Sequence, residues 1–434
     1  AGFREDPVKE LGIEDRTIVV APITSLTEES LKDSGMDIRA IHKCKNMFTL
    51  GMACFIYSRP VEYVYSYLEK KFGKKKPEMV APNKKVLNDG YNYAANIQAI
   101  PNTYTIEPAH MPKGLYRNMT GNQATAWGFL AASEKSGRPL FCGSYPITPA
   151  TSILEELAIH KSLGAKTLQA EDEIAGICTA IGAAYAGDLA VTTTSGPGLS
   201  LKSEALGLAV MTELPIVVVD VQRAGPSTGI PTKTEQSDLN QVLYGRNGEC
   251  PLAVIAAHSP AHCFDTAFYA SKLALEHMMP VIMLSEGFLG NGSEPWKIPS
   301  MKDYPEICPP FATEEDKPFK PFRRDPQTLV RKWGLPGVKG FEHRVGGLEK
   351  NHDGVLSSEP VNHEIMVRER AEKVARLADV IPELEVTGPK SGGLLVVGWG
   401  GTYGHLQTAV SQVRASGKEV SYAHFDYINP LPKN

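Results

Sequence analysis

Four segments of the 434-residue chain set reactive side chains beside glycine and proline. In the first, Gly143-Ser-Tyr-Pro-Ile-Thr-Pro-Ala-Thr151, two prolines bracket Thr148 and hold its hydroxyl in one place. The segment follows an apolar run and opens a helical pattern, where backbone N–H groups and the helix dipole face a ligand. It also reads as a plain turn, with Thr148 as helix cap and Pro149 near the first helical position. The second, Gln169-Ala-Glu-Asp-Glu-Ile-Ala-Gly176, puts three acids at the start of a very apolar helix. Acids there suit the helix dipole. A helix as apolar as residues 174–186 is also expected to be buried on most sides, which points a carboxylate into a protected crevice, where a raised pKa lets it share a proton with a ligand nitrogen. Glu173 is the first choice and Glu171 the second. In the third, Thr192-Thr-Thr-Ser-Gly-Pro-Gly-Leu199, Gly196 and Gly198 admit a ligand or a strand close to the backbone. It matches neither a phosphate loop nor a dinucleotide fingerprint. The fourth, Asp220-Val-Gln-Arg-Ala-Gly-Pro-Ser-Thr-Gly-Ile-Pro-Thr-Lys-Thr-Glu-Gln-Ser-Asp-Leu239, is a long loop, costly to order unless it binds something. Arg223 suits a substrate carboxylate held by paired hydrogen bonds. An ion pair with Asp220 or Glu235 is its alternative.

Placing these residues together requires a parallel sheet. Apolar runs of strand length at 140–143, 166–169, 189–194, 215–221, 252–257 and 280–284 alternate with helix-length stretches at 149–162, 173–186, 199–212 and 260–278. That alternation is the βαβ pattern and predicts a doubly wound α/β domain. From Glu294 to Gly337, nine prolines among charged residues predict an extended arm, followed by a helix over 363–379. A second α/β unit is expected from Gly392, with strands at 393–398 and 419–425 and a helix at 405–415. Its Gly-rich turn, Gly398-Trp-Gly-Gly-Thr-Tyr-Gly404, lacks dinucleotide-binding spacing and reads as structural. Before residue 113, a strand at 17–21 and helices at 40–58 and 61–72 precede a Lys-rich connector reaching Pro112. The domains expected are therefore 1–113, 114–295, 296–390 and 391–434.

A net charge of −4 lacks the basic footprint of a general nucleic-acid or anionic-membrane binder. No apolar run approaches the roughly 18 residues that span a bilayer, and the start, Ala1-Gly-Phe-Arg-Glu-Asp6, shows no signal region. A cytoplasmic location is expected. The seven cysteines contain no Cys-x-x-Cys pair, so they supply neither a disulfide framework nor cluster ligands and read as buried free thiols. His343, His352 and His363 lack metal-ligand spacing, so no metal is assigned to this chain. Lys70, Lys71, Lys74, Lys75 and Lys76 read as a solvated surface. The first residue is not Met and the last follows an apparent strand and turn, so both ends read as cuts through domains.

Together, Tyr145-Pro-Ile-Thr-Pro149, the acidic helix start at Glu173, Thr194-Ser-Gly-Pro-Gly198 and Arg223-Ala-Gly-Pro-Ser-Thr-Gly-Ile-Pro-Thr-Lys-Thr-Glu-Gln236 resemble the alpha subunit of the 2-oxoacid:ferredoxin oxidoreductases. The resemblance runs from Asn118 to Asn434. Residues 343–370 look like the family's arm, and Asp426-Tyr-Ile-Asn-Pro-Leu-Pro-Lys-Asn434 looks like the start of its transketolase-C-terminal-like domain. The segments Lys45-Asn-Met-Phe-Thr-Leu-Gly51 and Gly90-Tyr-Asn-Tyr93 resemble the back half of the family's gamma domain, without the Gly-rich motif that usually begins it.

The resemblance implies a thiamine-diphosphate (pyrimidine-binding) domain over 114–295. It implies Glu173 as the carboxylate that bonds the pyrimidine ring nitrogen, with Tyr145, Pro146, Ile147, Ser195 and Gly196 beside the cofactor. Thr148, Arg223 and Thr232 would hold the substrate carboxylate. The chain has no Gly-Asp-Gly and Asn motif for diphosphate, so the resemblance implies a beta subunit carrying Mg2+ and a 4Fe-4S cluster. It also implies coenzyme A as co-substrate, ferredoxin as electron acceptor and an (αβ)2 assembly. The gamma–alpha order resembles 2-oxoglutarate enzymes, whose reaction yields succinyl-CoA, carbon dioxide and reduced ferredoxin. The alternatives are a pyruvate or broad-specificity enzyme, a transketolase or 2-oxoacid dehydrogenase half, and a non-catalytic assembly scaffold.

Overall fold

The computed structural model describes residues 6–97 and 102–434. Readings made at 1–5, and at 98–101 of the expected connector, lie outside them. The chain divides into two compact units, Ala1–Lys113 and Gly114–Asn434.

In the first unit, helices Ile23–Leu31, Lys45–Ile56 and Val80–Asn96 enclose a core that includes Leu31, Phe48, Met52 and Val86. The last two helices cross so closely that a Cβ on Gly51 would strike the Leu87 carbonyl, and one on Gly90 the Phe48 carbonyl. Two expectations fail here. Residues 17–21 form no strand, because this unit holds no described strand with which they could pair. Much of the supposed connector is the helix Val80–Asn96, which buries Val86, Leu87, Gly90 and Ala94 at helical spacing and was hidden by its many polar residues.

The second unit contains strands β1 (Tyr116–Thr120), β2 (Leu140–Ser144), β3 (Lys166–Gln169), β4 (Leu189–Thr194), β5 (Ile216–Gln222), β6 (Ala253–Ala256), β7 (Pro280–Glu286), β8 (Ser293–Lys297), β9 (Val386–Thr387), β10 (Leu395–Trp399), β11 (Ser421–Phe425) and β12 (Tyr427–Asn429). Seven form the central sheet, in the order β12-β6-β7-β5-β4-β2-β3. All its pairs are parallel except β12 with β6, so the fold is the expected doubly wound α/β type. Successive side chains of a strand face opposite sides. Val217, Val219, Val281 and Met283 enter one core, while Ile216, Val218, Ile282 and Leu284 enter the other. Helices Gly121–Ser136, Thr151–Ile159 and His262–His277 cover the first face. Glu173–Ala186 and Ser203–Thr212 cover the second.

The helix expected over 199–212 is two pieces, Gly196–Leu201 and Ser203–Thr212, parted at the fully buried Lys202. Helix Glu173–Ala186 also departs from its reading. It buries Gly176, Ile177, Ala180, Ile181 and Ala184 but leaves Ile174, Cys178, Gly182 and Ala186 exposed as a stripe four residues apart. Apolar composition does not distinguish a face packed within the chain from one left uncovered.

The arm has little regular structure before helix Pro360–Ala375. Glu213, at the end of Ser203–Thr212, pairs with Arg324 of the arm and with Lys373 of that helix, all three buried. Strands β9, β11 and β10 form a small sheet. Its Gly-rich turn is tied down by Gln236, which donates to the Trp399 carbonyl at 3.2 Å and accepts from the Gly401 N–H at 3.1 Å. All seven cysteines are free, but Cys178 and Cys308 are exposed rather than buried. Among the described residues, no helix is long and apolar enough to cross a membrane.

Candidate active site

The sheet neighbours β5, β4, β2 and β3 run parallel, so their carboxyl ends share one edge, the place where open α/β sheets bind ligands. Each of the four motifs follows one of these ends. Three of them meet around Gly198. A Cβ on that residue would strike the Tyr145 hydroxyl and Thr194 Oγ1 and come within 2.9 Å of Glu173 Cγ. Tyr145 is buried, and its hydroxyl lies 2.9 Å from Thr194 Oγ1. Burial pushes its pKa upward.

The three acids have separate fates. Asp172 caps the helix by accepting from Ala175 N–H at 2.8 Å, Glu171 is exposed, and Glu173 is half-buried. Ser195 is fully buried, and its Oγ has no hydrogen-bond partner.

Thr148 is not the helix cap. The helix begins at Thr151, and the Thr151 hydroxyl staples the turn by accepting from Ile147 N–H at 2.8 Å and donating to the Ile147 carbonyl at 3.0 Å. Thr148 and Pro146 are exposed, and Ile147 is half-buried. The Thr148 carbonyl accepts from Arg223 Nη1 at 2.6 Å, which joins the first motif to the fourth. Arg223 is 8% exposed, its Nε has no partner, and it pairs with neither Asp220 nor Glu235. Glu235 instead accepts from Gly225 N–H at 2.8 Å within the loop. Thr232 lies exposed on that loop, and the neighbouring Lys233 carbonyl accepts from Ala224 N–H at 3.0 Å.

The profile of the family described as "Pyruvate flavodoxin/ferredoxin oxidoreductase, thiamine diP-bdg" matches residues 133–357, which takes in all four motifs. The "2-oxoglutarate synthase subunit KorA" of Methanothermobacter marburgensis is 34% identical over 72% of this chain and 82% of its own. The chain belongs to the 2-oxoacid:ferredoxin oxidoreductase family. The "2-oxoglutarate oxidoreductase subunit KorA" of Mycobacterium tuberculosis is 48% identical across 100% of this chain, which spans 66% of that relative's length. A solved structure, "2-oxoglutarate:ferredoxin oxidoreductase from Magnetococcus marinus with 2-oxoglutarate, coenzyme A and succinyl-CoA bound", superposes with a TM-score of 0.84 at 32% identity, covering 94% of this chain and 69% of that one.

In this member of the 2-oxoacid:ferredoxin oxidoreductases, the structure adds residues that sequence reasoning missed. Lys202 Nζ donates to the Glu173 carbonyl at 2.7 Å and to Thr192 Oγ1 at 3.2 Å. Burial lowers its pKa to about 8, although Glu173 opposes the shift. A lysine inside an otherwise apolar, small-residue stretch was the available signal. Asn122 Nδ2 donates to the Pro149 carbonyl at 2.8 Å and to Ser152 Oγ at 2.7 Å, bracing the Tyr145–Pro149 turn from a helix the motifs do not mention. Asp220, fully buried, faces Asp238, whose carboxylate abuts Gly196.

Proposed function

We propose that this chain is the alpha subunit of an enzyme that converts 2-oxoglutarate, coenzyme A and oxidised ferredoxin to succinyl-CoA, carbon dioxide and reduced ferredoxin. What carries the reading is the gathering of Glu173, Tyr145, Ser195, Gly198 and Arg223 at four adjacent strand ends in a member of this family. The names of the Mycobacterium and Magnetococcus relatives support 2-oxoglutarate as substrate.

The residues fit the pyrimidine end of thiamine diphosphate. Gly198 lets the Tyr145 hydroxyl, Thr194 Oγ1 and Glu173 close against the backbone at one point, and the buried Ser195 Oγ has an unmade hydrogen bond. When bound, the cofactor supplies a carbon nucleophile that also accepts the electron pair released as carbon dioxide departs. Glu173 holds a proton at the pyrimidine ring nitrogen, with the Tyr145 hydroxyl packed beside it at Gly198. Pro146, Ile147, Ser195 and Gly196 form the wall around the ring. Arg223, with Thr148 and Thr232, grips the 2-oxoacid carboxylate by charge-assisted hydrogen bonds, with the unpartnered Nε aimed by the Arg223–Thr148 contact.

This chain supplies half of the site. A beta subunit contributes Mg2+ for the diphosphate and a 4Fe-4S cluster that passes electrons to ferredoxin, in a cytoplasmic (αβ)2 assembly. The exposed stripe on Glu173–Ala186 supports a partner surface beside Glu173. Residues 1–113 serve as a partial gamma-type domain, 114–295 as the pyrimidine-binding domain, 296–390 as the arm, and 391–434 as the start of a transketolase-C-terminal-like domain.

The test is to purify the chain with its partner and assay 2-oxoglutarate, pyruvate and 2-oxobutyrate with coenzyme A and a low-potential dye. The highest kcat/KM is expected for 2-oxoglutarate; a preference for pyruvate would reassign the substrate. In the same complex, Glu173→Gln should lower kcat by roughly 10²–10⁴-fold. Arg223→Ala should raise KM by about 10–100-fold, the value of about 1.5–3 kcal/mol for a hydrogen bond to a charged group. Normal turnover in the first variant, or an unchanged KM in the second, removes the assigned role.

A further inference from the structure

Away from the four motifs, two histidines and an aspartate converge from distant parts of the chain. His258 follows β6, His262 is the first residue of helix His262–His277, and Asp426 lies between β11 and β12. The imidazole rings stack with centroids 3.7 Å apart and planes 18° from parallel. Asp426 Oδ1 is 2.8 Å from His258 Nδ1, and its Oδ2 is 3.9 Å from His262 Nε2. One donor atom from each residue lies within 4.8 Å of the others. We propose that His258, His262 and Asp426 form a binding site for a divalent transition-metal ion of the zinc class, which fastens the β11–β12 turn to the central sheet.

The donor chemistry favours such an ion. Two imidazoles and one carboxylate are a common set for zinc, with the remaining position left to water, whereas calcium and magnesium prefer all-oxygen sites. Two groups meet His262 Nδ1: the Thr266 hydroxyl at 3.2 Å, which also donates to the His262 carbonyl at 2.8 Å, and the His258 backbone N–H, which donates to it at 3.4 Å. They fix the ring so that Nε2 is the nitrogen facing Asp426, and contacts to the far ring nitrogen orient metal-ligating histidines in this way.

Two cavities border the cluster; Arg414 lines one of them with His258 and Asp426, and the other is acidic. Asp426 borders a cavity of about 420 Å³ shared with Asp265, Glu383 and Glu385, and no lysine or arginine lines it. A bound cation balances that charge and reaches solvent through the cavity. Within the sequence, the i,i+4 histidines were separated by more than 160 residues from their carboxylate, so spacing alone gave no metal signature.

The 434-residue chain, treated with chelator and dialysed, is titrated with zinc and separately with cobalt(II). The expected result is one equivalent bound per chain, visible absorption of tetrahedral cobalt, and a raised Tm. His262→Ala and Asp426→Asn should each weaken affinity at least about 10–100-fold, the loss seen even for outer-shell partners, while His343→Ala on the arm leaves it unchanged. Asp426→Asn keeps a hydrogen-bond acceptor for His258, so it decides the matter if His262→Ala fails to fold. No stoichiometric binding, or equal binding by the Asp426→Asn protein, overturns the proposal.

Discussion

Asp220 sits within the wholly buried strand β5 with no surface exposed, and neither carboxylate oxygen meets a protein donor in the form of an N–H or hydroxyl. Burial first, and the neighbouring Asp238 second, lift its pKa well above the usual carboxylate value, so the pair retains a proton under conditions where a free aspartate has lost its own. The folded state thus binds that proton more tightly than the unfolded chain, and stability falls as pH rises from about 4, the unfolded aspartate value, through the raised folded one. Asp220→Asn removes this dependence. The Tm of the variant minus that of the parent should grow more positive between pH 4 and pH 7, and a flat difference in paired thermal melts would show that the proton is not held there. The strand-end placement of Glu173 and Arg223 was legible, the first from three acids opening an apolar helix and the second from the glycine- and proline-rich loop after an apolar run. Asp220 and Asp238 were not, since their roles depend on burial, which nothing in the linear order of these residues states.

At the scale of elements, the turn from β4 into helix Gly196–Leu201 works because Gly198 brings the Tyr145 hydroxyl, Thr194 Oγ1 and Glu173 Cγ to the backbone. Gly198→Ala puts a methyl among all three. The chain should still fold, because the sheet core lies below the turn, but thiamine diphosphate affinity of the assembled enzyme should fall about 5–150-fold, the effect of roughly 1–3 kcal/mol of overpacking. Titrating the cofactor against activity and against Tm checks this; unchanged affinity would separate the turn from cofactor binding. Strands β3 and β4 and helix Glu173–Ala186 fall within the boundaries their hydrophobic patterns predict. Their periods are unambiguous, and their neighbours are short turns. Helix Gly121–Ser136 was passed over because it is buried nearly all round, which erases the amphipathic signal. The 17–21 segment erred the other way, carrying strand-like residues but finding no partner.

In the molecule as a whole, the irregular arm is fixed through Glu213. Burial alone would raise the pKa of this carboxyl, but Lys373 and Arg324 hold it at about 2, and Arg331 Nε donates to its carbonyl at 3.2 Å. Glu213→Gln preserves shape while leaving buried cations unpaired, a loss of about 3–5 kcal/mol. Urea unfolding should show that drop at pH 7. Because the folded pKa is depressed, the parent's advantage should be intact above pH 4.5 and disappear as pH falls toward 2; an advantage that persisted there would contradict the charge argument. The sheet also has a consequence for synthesis. β12, residues 427–429, pairs with β6, residues 253–256, so the free edge of β6 waits for a strand translated about 170 residues later. At roughly 5–20 residues per second, the nascent chain carries that open edge for on the order of 10–30 s, which makes the ribosome-bound intermediate the stage at which this protein most needs shielding from stray β-pairing.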